Sequence, residues 1–342
     1  MAKAMTTVGD VLRWWEPRIS ADRTRAKTTR SSRASLVNKH LLPCLGKVAI
    51  RNLTRHVVDD KLFLPMQRQG YEAHTIRNAF SALRSAFKLA YAQRRIAVNP
   101  MVDMPFSSFH QGKLRPKPPK LLRPNLRAVV EHLVEAFADN AEKGFLPLMM
   151  LAHGTRISET LHARWANIDM SEGVWVLPAE NTKTRQQRVI PLTEQVVALL
   201  VRYRSALPKS RLSSEWVFSV RGGGRLVETS AHARLRVVSG TQWTSHDLRK
   251  LMRDCLADIG VDYMVAERLI GHRLGSVAEA YLTNADMGLR RSALQQWHAR
   301  LDACGFADAH GLLTPESALI TEGEKPGAAG VSDESCTGSC VQ

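Results

Sequence analysis

The sequence predicts a mainly helical protein of the α+β class, divided into two domains. Apolar residues recur at spacings of three and four along much of the chain, which is the pattern of amphipathic helices. Two short runs rich in β-branched and aromatic residues predict a small antiparallel sheet in the second half. The length of 342 residues favours two cores, because one domain usually holds about 100 to 200 residues.

The first domain is predicted over residues 1–107 and consists of helices with basic outer faces. Its clearest helix runs from Ala73 to Tyr91. The apolar stripe of this helix is predicted to face the core and comprises Ile76, Phe80, Leu83, Phe87 and Tyr91. Another face of the same helix carries Arg77, Arg84 and Lys88, and is suited to binding phosphate groups.

A basic linker is predicted over residues 108–121, where the composition changes to HQGKLRPKPPK. Its prolines exclude a helix and favour an extended chain. Lys113, Arg115 and Lys117 give that extended chain a row of positive charges. We therefore expect a basic strap between the two domains.

The second domain is predicted over residues 122–308, where a helical pattern resumes. Within it, Val174 to Leu177 and Arg188 to Leu192 are predicted to form a β-hairpin, with Lys183 near its turn. Trp216 to Val220 is predicted to add a short strand.

The C-terminal end carries two further predictions. An amphipathic helix is indicated by Met287, Leu289, Leu294, Trp297 and Leu301. This helix either packs within its own domain or docks onto another subunit. Residues 309–342 are polar and acidic, and we expect them to be disordered.

The charge of the chain favours a polyanionic partner. The net charge is +16, and the tail from residue 309 contributes −4 to it, so the rest of the chain carries about +20. Charge alone is equally compatible with a solvated basic surface. Aromatic residues make up only 6% of the chain, too few for a dominant single-strand stacking platform. Duplex DNA is therefore the better match.

Other bulk features exclude several classes of protein. The longest apolar run is too short to span a bilayer, which argues against a membrane role. The N-terminal residues lack a secretory signal, so we expect a cytoplasmic protein. The five cysteines lack the paired spacing of zinc sites, and we predict neither a metal nor a cofactor.

Several polar residues supply the groups needed to break a phosphodiester bond. Such chemistry needs a nucleophile, cations on the non-bridging oxygens, a proton donor and a proton acceptor. Arg156 and Glu159 are three residues apart, as are His246 and Arg249, while His272 and Tyr281 follow later in the chain. Each feature alone is more typical of a surface ion pair or of packing. Their joint order makes them a candidate site.

That order resembles the tyrosine recombinases of the phage integrase kind. The resemblance lies in the stretches TRISE, NTKTRQQRVIPL, HDLR and LIGH, with Tyr281 nine residues after His272. It covers residues 122 to about 301 and implies a catalytic domain. The helical first half is similar to the family's core-binding domain, through a weaker motif.

The resemblance implies a role for each site residue. Tyr281 would attack the scissile phosphorus and form a 3′-phosphotyrosyl intermediate, without metal or ATP. Arg156 and Arg249 would clamp the non-bridging oxygens, and His272 would donate a hydrogen bond to the phosphate. Lys183 would donate a proton to the leaving oxygen, and His246 would accept the proton of the tyrosine. Glu159 would support the site.

The resemblance also implies partners. Recombination joins two duplexes through four active sites, so a homotetramer on paired DNA sites is expected. Accessory DNA-bending factors are a further class of partner that the resemblance leaves open. The DNA contacts outside the active site are expected from the basic helix face and the strap, that is from Arg77, Arg84, Lys88, Lys113, Arg115 and Lys117.

Two points depart from or complicate the family pattern. The family often has Thr-Gly-x-Arg where this chain has His153-Gly154-Thr155-Arg156. The role of Lys183 has two nearby competitors, Arg185 and Arg188.

Two alternative functions remain beside the recombinase. A relaxing topoisomerase would share the chemistry on one duplex, although the separate core-binding domain favours the recombinase. A regulator or architectural protein would bind DNA only, although a binder has no use for a nucleophile.

Overall fold

The structure is a computed structural model that describes residues 4–272 and 285–312. It contains two compact units, Met1–Lys117 and the chain from Pro118 onward. The point of division falls within the segment predicted as a linker, 108–121. The mainly helical α+β class predicted from the sequence is confirmed.

The secondary-structure elements described in the first unit are all helices, and the first of them has a capped N-terminus. Thr7 and Asp10 form a capping box, in which each side chain accepts a hydrogen bond from the other residue's backbone N–H, and this fixes the start of α1. The helices are α1 (Val8–Ala21), α2 (Lys27–Leu36), α3 (Leu42–Leu45), α4 (Arg55–Val58), α5 (Leu64–Arg68) and α6 (Ala73–Ala92). Short π-helical segments, Val37–Leu41 and Asp59–Phe63, join α2 to α3 and α4 to α5.

Helix α6 confirms most of its predicted stripe. The core side chains Ile76, Phe80, Leu83 and Phe87 are buried, whereas Arg77, Arg84 and Lys88 are exposed. Tyr91 was wrongly assigned to the stripe, because it is 50% exposed and Ala90 takes the buried position. A helix turns about 100° per residue, so the fifteen residues from Ile76 rotate Tyr91 about 60° away from the core line.

The predicted strap has no regular secondary structure. Lys113, Arg115 and Lys117 are all exposed, and Lys117 forms an exposed ion pair with Glu72 at 2.7 Å. The start of the segment packs on the first unit, where the ring of Phe109 contacts Phe63 and Phe80.

The second unit is built around one buried helix, α8. Every residue from Gly144 to His153 is buried, and α8 packs against α7, α10 and α13. The helices of this unit are α7 (Leu126–Asp139), α8 (Ala141–His153), α9 (Ile157–Leu161), α10 (Glu194–Ala206), α11 (Lys209–Leu212), α12 (Glu228–Ser239), α13 (Ser245–Asp258), α14 (Tyr263–Leu269), α15 (Ala285–Asp302) and α16 (Ala307–His310).

The sheet has three antiparallel strands in the order β1 (Ile168–Asp169), β2 (Val174–Leu177) and β3 (Arg188–Pro191). Strands β2 and β3 form the predicted hairpin, with Trp175 opposite Ile190. The predicted strand at Trp216–Val220 is wrong. That segment makes only isolated bridges, from Trp216 to Arg164 and from Ser219 to Arg225, so it lacks a continuous partner.

The C-terminal end of the described chain is packed. Leu294, Trp297 and Leu301 of α15 are buried in the second unit, so this helix packs within its own domain, one of the two alternatives. Leu289 is 58% exposed and lies outside that packed stripe. The disordered tail was predicted to begin at residue 309, which is too early, because α16 continues to His310 and packs on α7 and α10. Residues 313–342 lie outside the described chain.

Candidate active site

Arg156 is positioned by a sharp turn after α8. Gly154 ends α8 with a φ of +58°, and a Cβ at this position would lie 2.7 Å from the Met252 sulfur. A side chain here would be strained and would clash, so glycine is required. The chain then enters α9 immediately after Arg156.

Glu159 fixes the guanidinium of Arg156. The Arg156 Nη1 lies 2.7 Å from Glu159 Oε1, and the Arg156 backbone N–H donates to Glu159 Oε2 at 3.2 Å. Glu159 is 1% exposed, whereas the Arg156 side chain is 25% exposed. The buried carboxylate therefore anchors a cation that still reaches solvent.

Helix α13 carries His246 and Arg249. Thr244 and Asp247 form a capping box that fixes its first turn, with the Thr244 hydroxyl donating to Asp247 at 2.7 Å. His246 is exposed, whereas Arg249 is 2% exposed. The Arg249 Nη1 donates to the carbonyl of Gly154 at 2.5 Å, so the second arginine is tied to the turn that positions the first.

His272 lies just beyond α14 and is brought to the same cluster. Both Nη1 and Nη2 of Arg156 lie 3.4 Å from the carbonyl of Gly271, the residue before it. The Nδ1 of His272 is 2.6 Å from Glu267, which also binds Arg253 at 2.7 Å. An Nδ1–H donated to this carboxylate leaves Nε2 of His272 for another partner.

Of the other two predicted catalytic residues, the structure describes Lys183 but not Tyr281. Lys183 is exposed in the turn between β2 and β3, where Thr182 holds the loop through hydrogen bonds to Gln186. No contact between Lys183 and the site arginines is found within 4–272 and 285–312. Tyr281 lies outside the described residues.

Arg188 is a site residue whose place the sequence did not indicate. Its side chain is 12% exposed, and Nη1 pairs with Glu159 Oε2 at 3.0 Å while Nη2 donates to the Leu269 carbonyl at 2.7 Å. Sequence reasoning treated it as a competitor of Lys183. The sequence offered one indication of this contact. Both oxygens of a buried carboxylate such as that of Glu159 need cationic or N–H donors.

The electrostatics of the cluster favour an anion. Burial, followed by the charge of Arg156, lowers the pKa of Arg249 to about 9, so this guanidinium is still charged at neutral pH. Among the described residues, Arg249 Nη2 has no hydrogen-bond partner although it is buried. A bound phosphate would supply both the missing acceptor and the missing negative charge.

His246 is suited to accept a proton. Although the ring is exposed, loss of part of its hydration lowers its pKa, and the charges of Lys250, Arg249 and Arg156 lower it further, against the opposing charge of Asp247. The ring is therefore predominantly neutral at neutral pH.

The described residues contain no cluster of three or more His, Cys, Asp or Glu side chains that could hold a metal ion. Among the same residues, no helix is both long enough and apolar enough to cross a bilayer.

Comparison with known proteins agrees with this geometry. A family model described as the phage integrase family matches residues 125–287. The chain is 25% identical over 256 residues to the tyrosine recombinase XerD of Chlorobaculum tepidum, an alignment that covers 70% of this chain and 80% of the relative.

Two solved structures share the fold. The Tn1549 transposon integrase in complex with circular intermediate DNA matches with a TM-score of 0.64 at 17% identity, over 84% of this chain and 99% of that one. A lambda integrase tetramer bound to a Holliday junction matches with a TM-score of 0.61 at 17% identity, over 80% of each chain. The family model and the XerD relative place residues 125–287 in the phage integrase family of tyrosine recombinases.

Proposed function

We propose that this protein is a site-specific DNA recombinase, which cuts and rejoins DNA strands through a covalent intermediate on Tyr281. One observation carries the proposal. Arg156 and Arg249 are fixed in one site by Glu159 and by the Gly154 carbonyl, and within the described chain Arg249 Nη2 is buried without a partner. Paired guanidiniums with spare donors suit a phosphate that gains charge in its transition state.

The reaction exchanges one phosphate ester for another. The Tyr281 oxygen attacks the scissile phosphorus, the bond to the 5′-oxygen breaks, and a 3′-phosphotyrosyl ester and a free 5′-hydroxyl result. The 5′-hydroxyl of another strand then reverses the step and frees the tyrosine. Since each step makes one ester as it breaks another, the scheme needs no ATP. Arg156 and Arg249 supply the positive charge on the phosphate that a metal ion would otherwise provide.

Each site residue takes one part of this reaction. Arg156 and Arg249 bind the non-bridging oxygens. The doubly protonated ring of His272 donates Nδ1–H to Glu267 and Nε2–H to the same phosphate. His246, which is neutral, accepts the tyrosine proton, and Lys183 gives a proton to the leaving 5′-oxygen. Glu159 holds Arg156 in position.

Duplex DNA is the proposed partner. The net charge of +16 and the exposed cations of α6 and the strap support binding of the phosphate backbone. The first unit acts as a core-binding domain through Arg77, Arg84 and Lys88, while Lys113, Arg115 and Lys117 follow the backbone beside it. We propose that the reaction takes place in the cytoplasm.

Strand exchange is carried out by a homotetramer on two paired sites. Two duplexes are each cut on two strands, so four active sites are needed. The similarity in fold to an integrase whose tetramer binds a Holliday junction supports this assembly.

The test is covalent trapping on DNA. The wild-type protein is mixed with nicked duplexes tiled over the DNA that flanks its gene, each labelled at the 5′ end of the strand to be cut. The nick lets the short 5′-hydroxyl fragment diffuse away, so we expect an SDS-stable protein–DNA adduct with the wild type and none with Tyr281→Phe.

Other outcomes identify the alternatives. A gel shift without any adduct would mean a DNA-binding regulator and would overturn the proposal. Relaxation of supercoiled plasmids that lack the trapped sequence, without strand exchange, would mean a topoisomerase.

A further inference from the structure

Arg188 connects three parts of the candidate active site through one buried guanidinium. It begins β3, it pairs with Glu159 of α9 at 3.0 Å, and it donates to the carbonyl of Leu269 at the end of α14 at 2.7 Å. Burial lowers the pKa of Arg188, and the carboxylate of Glu159 opposes that shift. A cation this well buried is retained only with close partners, and here the partners are themselves site elements.

The backbone of Gly271 lies directly against this guanidinium. Gly271 has a φ of +67°, and a Cβ added there would lie 2.4 Å from Arg188 Nη1 and 2.5 Å from its Cζ. The next residue is His272, and the Gly271 carbonyl itself lies 3.4 Å from both terminal nitrogens of Arg156. The position of Arg188 therefore sets where the chain carrying His272 can lie.

Arg188 also controls how Glu159 is shared. Oε1 of Glu159 binds Arg156 Nη1, while Oε2 binds Arg188 and the Arg156 backbone N–H. Without Arg188, the buried Oε2 would lose its charged partner and would draw in the second nitrogen of Arg156. A bidentate pair of that kind is stronger, and it would take Nη2 of Arg156 away from the phosphate.

We propose that Arg188 is a positioning residue for DNA cleavage, which holds Glu159 and the Gly271–His272 backbone so that Arg156 Nη2 and His272 remain available to the scissile phosphate. This inference rests on the proposed recombinase function. Arg188 does not donate a proton in this scheme, because its guanidinium is paired with Glu159 and is buried away from the exposed hairpin turn that carries Lys183.

The experiment compares Arg188→Met and Arg188→Lys with a matched control, Arg211→Met. Arg211 is similarly buried, with a side chain 14% exposed, and it pairs with Glu142 outside the site. Melting temperature, DNA affinity by gel shift and single-turnover cleavage at saturating protein are measured for each. We expect the control to cleave like the wild type, and Arg188→Met to bind normally but cleave about 100-fold more slowly.

Arg188→Lys keeps a cation beside Glu159 and covers the case in which Arg188→Met does not fold. A lysine cannot bind both Glu159 and the Leu269 carbonyl in the same planar arrangement, so its rate should also fall. For Arg188→Met, the fall should be by the same factor from pH 6 to pH 9, because neither arginine nor methionine titrates in that range, whereas a buried lysine can. A pH profile of Arg188→Met that differs in shape from that of the wild type would instead indicate that Arg188 takes part in proton transfer, and would overturn the inference.

A double-variant cycle separates positioning from general destabilisation. If Arg188 acts through Glu159, Arg188→Met should slow cleavage much less in a Glu159→Gln background than in the wild type. If Arg188→Met slows cleavage equally in both backgrounds, or if Arg188→Lys cleaves at the wild-type rate at every pH, the inference about Arg188 is overturned. The proposed function is not affected by either result. No adduct from the wild type would instead overturn the proposed function.

Discussion

Arg249 is the most buried of the three arginines around Glu159, and its two terminal nitrogens are in different situations. Nη1 donates to the Gly154 carbonyl at 2.5 Å, whereas Nη2 has no partner among the described residues. One side chain therefore combines a structural anchor with a spare donor. A lysine has a single nitrogen and cannot fill both roles.

We predict that Arg249→Lys slows cleavage by about 100- to 1,000-fold, the usual cost of losing one transition-state donor. DNA affinity should change little, because many other cations hold the duplex. Single-turnover cleavage and gel shift on one trapped duplex measure the two effects. Arg123→Lys is the control, since Arg123 lies in exposed ion pairs with Asp254 and Asp258 of α13. Equal losses of DNA affinity and of cleavage rate in Arg249→Lys would contradict a role for Arg249 in cleavage that is separate from DNA binding.

The lowered pKa of His246 gives a prediction for pH dependence. A base works when deprotonated, so cleavage should fall with decreasing pH only below a midpoint that lies under the usual 6.5. The second-order cleavage rate constant reports groups of the free protein and is measured from pH 5 to pH 8. His246→Ala should lower the rate and remove this acidic limb. A midpoint well above 6.5, or an unchanged limb in the variant, would exclude His246 as the base.

At the residue scale, the sequence indicated partners that are close along the chain. Arg156 and Glu159 lie three residues apart, and they form an ion pair at the start of α9. Arg188 is 29 residues from Glu159, and no local spacing announces that contact. Glu267 is only five residues from His272, and the pair forms where α14 ends, a proximity that the sequence could have indicated.

At the scale of secondary-structure elements, regular patterns were predictable and irregular ones were not. The hairpin of β2 and β3 follows from two runs rich in β-branched and aromatic residues, and the stripe of α6 follows from apolar residues at spacings of three and four. Trp216 to Val220 has strand-like composition but pairs only at isolated bridges, and strand β1 has two residues, too few to give a pattern. Pairing depends on a partner that local composition does not reveal.

Helices α8 and α15 meet through two buried histidines. The Nε2–H of His298 donates to the Ala152 carbonyl at 3.0 Å, and its Nδ1 lies 2.7 Å from the Thr193 hydroxyl. Neither ring nitrogen of His153 makes a hydrogen bond of good geometry in the described chain. The Met149 carbonyl opposes the lowering of the His153 pKa, but burial outweighs it. Burial lowers the pKa of His153 to about 3 and that of His298 to about 4.

These shifts predict acid sensitivity of the second unit. Between the folded pKa values and about 6.5, the unfolded chain binds more protons than the folded chain, so the free energy of unfolding decreases as pH falls. The slope is about 1.4 kcal/mol per pH unit for each histidine well below 6.5. His153→Leu should reduce this loss without a large cost at pH 8. Urea unfolding at pH 5 and pH 8 measures both, and an equal pH loss in variant and wild type would contradict the assignment.

At the scale of the whole molecule, the charge predicts how strongly salt weakens DNA binding. Each phosphate neutralised by a cation contributes a slope of about −0.9 to the dependence of log affinity on log salt. Replacing Arg77, Arg84 and Lys88 of α6 together by glutamine should make the measured slope shallower by about 2 to 3. Fluorescence anisotropy with a labelled duplex at several salt concentrations gives this slope. An unchanged slope would remove the α6 face from the DNA interface.

The proposed reaction depends on a covalent bond between DNA and Tyr281, and mass spectrometry of the trapped adduct tests that bond directly. The adduct is digested with nuclease and then with trypsin, and the remaining nucleotide is located on its peptide. We predict a nucleotide joined through its 3′-phosphate to Tyr281. A nucleotide on any other residue, or a 5′-phosphate linkage, would contradict the proposed chemistry.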